Sequence, residues 1–296
     1  MSTAVTVSAA LARSGLVPLE AKILLAHVLG RERAWIAAHG EAIVPPDEFK
    51  RFDALTRRRH AGEPVAYLTG AREFYGLTFA ITTDVLIPRP ESELLVELAL
   101  ERVGVDSVAE IVDLGTGSGA LALVIARQRP HAHVTAVDRS GPALQLARRN
   151  GQRLGIGNVE FVESDWFDAL GDRHFAMVVA NPPYVADDDP HLREGDLRFE
   201  PEGALRGGVD GLGAIRSIVE QVPRHLDAGG WLLLEHGHDQ AQRVRALLTD
   251  AGFAQIQSRR DLAGIERVTL GQLAFHGGMS PDIELQRHQK DPTAAG

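Results

Sequence analysis

Asn181-Pro182-Pro183-Tyr184 directly follows the apolar run FAMVVA at 175–180. Pro182 confines Asn181 to extended backbone, and Pro183 does the same to Pro182. Neither proline carries an N–H, so no local donor competes for nearby acceptors. What remains is a rigid, neutral corner with two acceptors: the Asn181 side-chain oxygen and the Pro182 carbonyl. Two acceptors so fixed suit a substrate NH2, each hydrogen bonded at roughly 2.9 Å. The nitrogen lone pair then points away, towards an electrophile. A planar nitrogen conjugated to a carbonyl or ring is a poor nucleophile. Tilting it out of conjugation and aligning it with an activated methyl is catalysis by orientation. A neutral Asn181 needs no shifted pKa to stabilise the positive charge that grows on that nitrogen. Tyr184 offers an aromatic wall for a flat amide or base. The plain alternative, a turn that merely ends a strand, leaves this set of groups unused.

The second group is DLGTGSG at 113–119. Gly115, Gly117 and Gly119 permit a tight turn and let backbone N–H groups approach a ligand. Asp138 ends the next strand, 23 residues after Gly115, where a carboxylate can accept from both ribose hydroxyls of a nucleoside. Gly115-x-Gly117-x-x-Ala120 also satisfies the dinucleotide fingerprint, so a nicotinamide dehydrogenase competes at this point. A hydride-transfer enzyme has no use for the Asn-Pro-Pro-Tyr corner, and S-adenosylmethionine overtakes the nicotinamide reading. Trp166 in SDWF, 164–167, follows a third strand on the ligand side and can lie against adenine, with Asp165 accepting from its amino group. The alternative for Trp166 is a core aromatic at a loop.

Alternating strands and helices carry these groups. Strand patterns at 109–114, 133–138, 159–164, 175–180, 230–237, 253–259 and 266–275 alternate with helix patterns at 119–128, 142–155, 213–226 and 239–252. Such alternation with short links implies a mostly parallel sheet wrapped on both faces. The expected fold class is therefore α/β: a seven-stranded Rossmann-like sheet, whose two short closing strands match the pattern of a methyltransferase-type sheet, with a small N-terminal helical domain. In such a sheet the first and fourth strands lie side by side, so Asn181 borders the glycine loop. Before the sheet, helices at 18–30 and 46–62 open with Pro18 and Pro46 and close at glycines. Phe74-Tyr75 against Leu77 to Ile81 reads as a hairpin around Gly76, and helix resumes after Pro90. The expected domains are a helical recognition domain over 1–85 with a hairpin linker near 71–87, a methyltransferase domain over 86–276, and a loose tail over 277–296.

The chain has 296 residues, 44% hydrophobic, and a formal charge of -9. A net negative charge weighs against a dedicated nucleic-acid binder. Cysteine is absent, so there is no disulfide framework or thiol chemistry. With no long apolar run and no basic, apolar leader, the expected location is the cytoplasm, without a membrane partner.

In combination, these motifs resemble those of the class I methyltransferases that modify planar nitrogens. EAKILLAHVLG, RRRHAGEPVAYLTGAREFYGL, LIPRPESELLVE, SDWF, RFEPEGAL and LLLEHG narrow the resemblance to the release factor glutamine methyltransferases, the PrmC/HemK family, over about residues 18–275. The resemblance implies transfer of methyl from S-adenosyl-L-methionine, leaving S-adenosyl-L-homocysteine, to N5 of the glutamine in the Gly-Gly-Gln tip of class-one peptide chain release factors. It implies that Gly115, Thr116, Gly117, Ser118, Gly119 and Asp138 hold the cofactor, with Trp166 beside adenine. Asn181 would touch both cofactor and substrate, acting with Pro182 as the catalytic pair, and Pro182, Pro183 and Tyr184 would line the glutamine pocket. Arg89 and Glu91 match the family's pattern near the domain junction. Pro90 favours the release-factor branch over the ribosomal protein L3 glutamine methyltransferases, which typically carry serine there. Gly117-Ser118-Gly119 departs from the commoner Gly-Thr-Gly by one methyl. A monomer without direct DNA binding is expected. A DNA adenine methyltransferase and a non-catalytic ribosomal adaptor are the remaining competitors; the first lacks a target-recognition domain and the second has no need of the corner.

Three further stretches have plain readings beside functional ones. The segment 182–212 lacks a clear helix or strand pattern, and long loops in compact domains often close over ligands; a solvated acidic loop is the alternative. His236-x-His238 lacks the clustered carboxylates or cysteines of a metal site, and the chemistry needs no metal. Arg57-Arg58-Arg59 reads as a solvated helix face.

Overall fold

A computed structural model of the chain describes residues 4–274. The tail expected at 277–296 lies outside the described residues. The chain opens with strand β1 (Val5–Thr6) and helices α1 (Val7–Ser14), α2 (Pro18–Leu29) and α3 (Arg33–Ala38). Strand β2 (Ile43–Val44) returns to pair with β1, and α4 (Pro46–His60) and α5 (Val65–Thr69) follow. Pro18 and Pro46 sit at first helical positions, where a missing N–H costs nothing. Leu24, Leu25, Ile36 and Phe52 fill a separate small core. The short β1–β2 pair was not expected, because two residues per strand carry no period.

A hairpin of β3 (Ala71–Phe74) and β4 (Leu77–Ala80) leads out of this bundle. Tyr75 and Gly76 have φ of 50° and 71°, the backbone of a tight two-residue hairpin turn. Tyr75, expected in a strand, is thus in the turn, and its N–H donates to Glu93. A single 3-10 turn, Pro90–Ser92, then enters α6 (Glu93–Arg102).

The remainder alternates: β5 (Glu110–Leu114), α7 (Ala120–Gln128), β6 (His133–Asp138), α8 (Gly141–Leu154), β7 (Val159–Glu163), β8 (Phe175–Ala180), α9 (Glu202–Leu205), α10 (Gly213–Gln221), β9 (Leu226–Glu235), α11 (Ala241–Asp250), β10 (Phe253–Arg260) and β11 (Glu266–Leu273). The seven strands run in the order β10-β11-β9-β8-β5-β6-β7. The five from β9 to β7 are parallel, and β11 is antiparallel to both of its neighbours. This is the expected seven-stranded α/β sheet, and the order in which strands are added reverses between β5 and β8. Alternate residues feed two cores. Ile111, Val134, Val179 and Leu233 face one, and Val112, Val137, Val178 and Leu232 face the other. The helix expected to run to residue 226 ends at Gln221. Pro223 lacks the N–H that would continue the ladder, so a 3-10 turn follows and β9 begins earlier than expected, at Leu226. Among the described residues no helix is long and apolar enough to cross a membrane.

Asn150 on α8 ties the hairpin to the sheet domain. Its Oδ1 accepts from the Ala80 N–H at 2.8 Å, and its Nδ2 donates to the carbonyls of Ala80 at 3.1 Å and Ser118 at 2.9 Å. Asn150 is fully buried, so removing the amide strands three backbone groups. Asn150→Ala is expected to lower stability by about 2–4 kcal/mol, read as a shift in the urea midpoint at unchanged slope. A loss below about 0.5 kcal/mol, the usual range for an inert surface change, would refute this role.

Candidate active site

Strand register assembles the site. Leu114 pairs with Ala180 and with Val137, and Ala180 pairs with Leu234. The next residues, Asp138, Gly115, Asn181 and Glu235, therefore stand in one row across the carboxyl ends of β6, β5, β8 and β9. This edge is where open α/β sheets bind ligands.

The glycine loop occupies the β5 end. Gly115, Gly117 and Gly119 have φ of 76°, 55° and 83°, a region that only glycine enters cheaply. A Cβ on Gly119 would stand 2.9 Å from Leu123 and 3.1 Å from Ala147, so this glycine lets α7 and α8 pack. A Cβ on Gly117 would meet nothing within 4 Å, although the residue lines the cleft. That is the open side a ligand needs. Buried Asp113 braces the loop from below: its Oδ2 accepts from Thr116 Oγ1 at 2.6 Å and from the Ala122 N–H at 3.2 Å. Burial raises its pKa to about 7, and its Oδ1 has no partner. Asp138 accepts from the Gly117 and Ser140 N–H groups, both at 2.9 Å. Each oxygen keeps a lone pair for a further donor.

Two cavities of about 310 and 320 Å³ share Gly115, Asp138, Arg139, Pro183 and Gly203. They form a cleft along the strand ends. The first also touches Thr116, Gly117, Ser118, Ser92 and Asn181. The second touches Asp165 and Trp166. Trp166 adopts φ of 46° and would lie 3.7 Å from a Cβ on Gly115, so its ring backs the glycine loop. Open glycine backbone, an acid with spare lone pairs and an aromatic ring at the far end fit S-adenosylmethionine.

At the β8 end, Asn181 lines the first cavity and Pro183 lines both. Pro182 is buried and lines neither. Tyr184 also lines neither of these two cavities. A buried phenol requires a partner, and its hydroxyl donates to Glu235 Oε1 at 3.3 Å. Ser92 Oγ donates to Glu235 Oε2 at 2.6 Å and accepts from Asn181 Nδ2 at 3.0 Å. Asn181 Oδ1 is left buried with no partner. Burial raises the pKa of Glu235 to about 7.

The segment expected to lack regular structure carries 3-10 turns at Pro190–Arg193 and Leu197–Phe199 and the one-turn α9. Asp189 caps the first turn by accepting from the His191 N–H. The segment is anchored at both domains. Buried Glu200 accepts from Arg89 and from the Ile87 N–H, and Asp196 pairs with Arg59 at 2.9 Å. Arg59 also pairs with Glu20 at 2.9 Å, so it is not part of a solvated face; Arg57 and Arg58 remain outside, beside Asp53 and Glu63. Gly207 packs on the corner itself: a Cβ there would meet the Pro183 carbonyl at 2.7 Å. His236 is a core residue, bonded to Thr269 Oγ1 at 2.8 Å.

Sequence reading passed over Asp113, Ser92, Glu235 and Gly207. An acid inside or ending an apolar strand, as in EIVDL and WLLLE, is a signal of a buried carboxylate with a task. Ser92 and Gly207 give no such signal, because their roles exist only after folding.

The chain is similar to known proteins over almost its whole length. Residues 6–70 match the PrmC N-terminal domain family, and residues 90–195 match the methyltransferase small domain family. The release factor glutamine methyltransferase of Burkholderia pseudomallei is 52% identical over 276 residues, covering 90% of this chain and 96% of that protein. The protein of the same name from Escherichia coli is 47% identical, covering 86% and 91%. A methyltransferase structure from Pyrococcus furiosus superposes with a TM-score of 0.53 at 16% identity, over 74% of this chain and 98% of that one, a likeness of fold alone.

Proposed function

The chain belongs to the release factor glutamine methyltransferase family of S-adenosylmethionine-dependent protein-(glutamine-N5) methyltransferases, and we propose that it methylates N5 of the glutamine in the Gly-Gly-Gln motif of class-one peptide chain release factors. When bound, S-adenosylmethionine supplies a methyl group made electrophilic by its sulfonium. Gly115 to Gly119, Asp138 and Trp166 would hold it along the cleft, as the open face of Gly117 allows. Asn181 Oδ1 and the Pro182 carbonyl accept the two amide hydrogens of the substrate. The amide is thereby turned so that its lone pair faces the cleft beside Gly115. Charge that grows on the nitrogen meets the Asn181 dipole, fixed in place before the reaction. The surplus proton leaves after the methyl has arrived.

The observation that carries this reading is the Asn181 carboxamide oxygen, buried without a partner on a residue that lines the cleft. An unmet buried acceptor costs about 1–3 kcal/mol. A substrate N–H that pairs with it recovers that free energy at the reacting centre. Protein docking falls to the helical bundle, which Arg59 joins to the segment over the cleft. The enzyme acts as a cytoplasmic monomer and needs no DNA. The test is incubation with labelled S-adenosylmethionine and, separately, a class-one release factor, ribosomal protein L3 or duplex DNA. Label is expected on the release factor and lost when its Gly-Gly-Gln becomes Gly-Gly-Ala. Label on L3 or DNA alone would overturn the proposal.

A further inference from the structure

An asparagine side chain has one accepting end and one donating end, nearly equal in shape. The proposed reaction needs the accepting end towards the substrate NH2; with the ends exchanged, two NH2 groups would face each other. Something must therefore fix which way the amide lies.

Two groups outside the corner do so. Glu235, when ionised, can only accept. Ser92, 2.6 Å away, must spend its single hydrogen on that carboxylate. The lone pairs of Ser92 are then what faces Asn181, and at 3.0 Å they take the Nδ2 end. The oxygen is left pointing elsewhere, without a partner. The other Glu235 oxygen receives the Tyr184 hydroxyl, so one carboxylate grips both ends of the Asn-Pro-Pro-Tyr corner. Ser92 and Glu235 are 3% and 1% exposed, which keeps water from scrambling the chain of donors.

We infer that Glu235, acting through Ser92, is a positioning device that sets the amide polarity of Asn181 and so makes the site selective for an NH2 donor. This rests on the function proposed above for Asn181. Protonation of Glu235 would abolish the device: a carboxylic acid can donate, Ser92 can turn, and Asn181 can invert. Other charged or titratable groups bearing on Glu235 are Tyr184 beyond β8, Arg267 on β11 and Glu91 beside Ser92. Arg267 favours the ionised form, Glu91 opposes it, and burial outweighs both. Capture of the release factor should therefore weaken as pH falls through about 7.

The test uses the full-length enzyme, a release factor and labelled S-adenosylmethionine. Ser92→Ala and Glu235→Gln are each expected to lower kcat/KM for release factor about tenfold or more, with cofactor affinity by calorimetry unchanged. Ser92→Thr, which keeps the hydroxyl, should restore most of the activity, and Glu235→Gln should flatten the acid limb of the wild-type pH profile. Wild-type kcat/KM and an unchanged pH profile in both variants, with Asn181→Ala inactive, would overturn this inference alone. Equal loss of cofactor affinity and turnover would overturn it too, as a sign of general misfolding. Full activity in Asn181→Ala would instead remove the function on which it rests.

Discussion

Asn181→Ala is expected to bind S-adenosylmethionine with nearly wild-type affinity yet to methylate roughly 10²–10³-fold more slowly, the usual consequence of losing one preorganised polar contact. The separation follows from the geometry. The proposed cofactor surfaces are the glycine loop, Asp138 and Trp166, none of which hydrogen bonds to the Asn181 side chain. Alanine before Pro182 keeps the extended backbone, so the corner itself survives. What vanishes is the acceptor proposed to hold the substrate NH2. The amide nitrogen then stays conjugated and is no longer aligned with the methyl. Single-turnover labelling at saturating cofactor isolates the transfer step. A wild-type rate there would remove Asn181 from the mechanism, whatever the cofactor affinity.

The same residue illustrates what a sequence can carry. Two prolines after an asparagine announce a stiff corner with acceptors, because proline restricts backbone and deletes N–H groups wherever it stands. Strand periodicity then gives the sheet, and the sheet sets Asn181 beside Gly115. Both steps use local rules that survive in any context. The direction in which the Asn181 amide lies depends on Ser92 and Glu235, 89 and 54 residues away along the chain. No local rule links them. Tyr184 shows the same limit: its aromatic ring suggests a wall, but nothing local announces that a buried acid on β9 takes its hydroxyl. Arg59 looks like its neighbours Arg57 and Arg58 until the fold brings Glu20 and Asp196 to it. The short helices between 190 and 205 were missed because each is about one turn, too brief to show a period; a capping acid and a proline start Pro190–Arg193, and Pro201 precedes Glu202–Leu205.

Asp138→Ala should produce the opposite split: cofactor affinity down by about 10²-fold, with turnover at saturating cofactor little changed. Asp138 accepts two charge-assisted hydrogen bonds, from the Gly117 and Ser140 N–H groups. A charge-assisted bond from a ribose hydroxyl to this carboxylate would be worth about 1.5–3 kcal/mol, and a factor of ten in affinity is about 1.4 kcal/mol. Alanine removes both bonds and any contact to the ribose. Water entering the open cleft replaces part of the loss, so the net falls well short of the gross sum. Folding stability should move less than affinity. Burial already raises the Asp138 pKa, which means the folded protein tolerates this charge at a cost that alanine relieves. Because ionised Asp138 is the binding form, wild-type affinity should decline as pH falls towards that raised pKa. Asp138→Asn keeps one acceptor and no titration, so its affinity should lie between wild type and alanine and show no acid limb from this residue. Calorimetry across pH reads all three proteins. Equal affinity in wild type and Asp138→Ala would mean that the carboxylate shapes the empty loop and leaves the cofactor untouched.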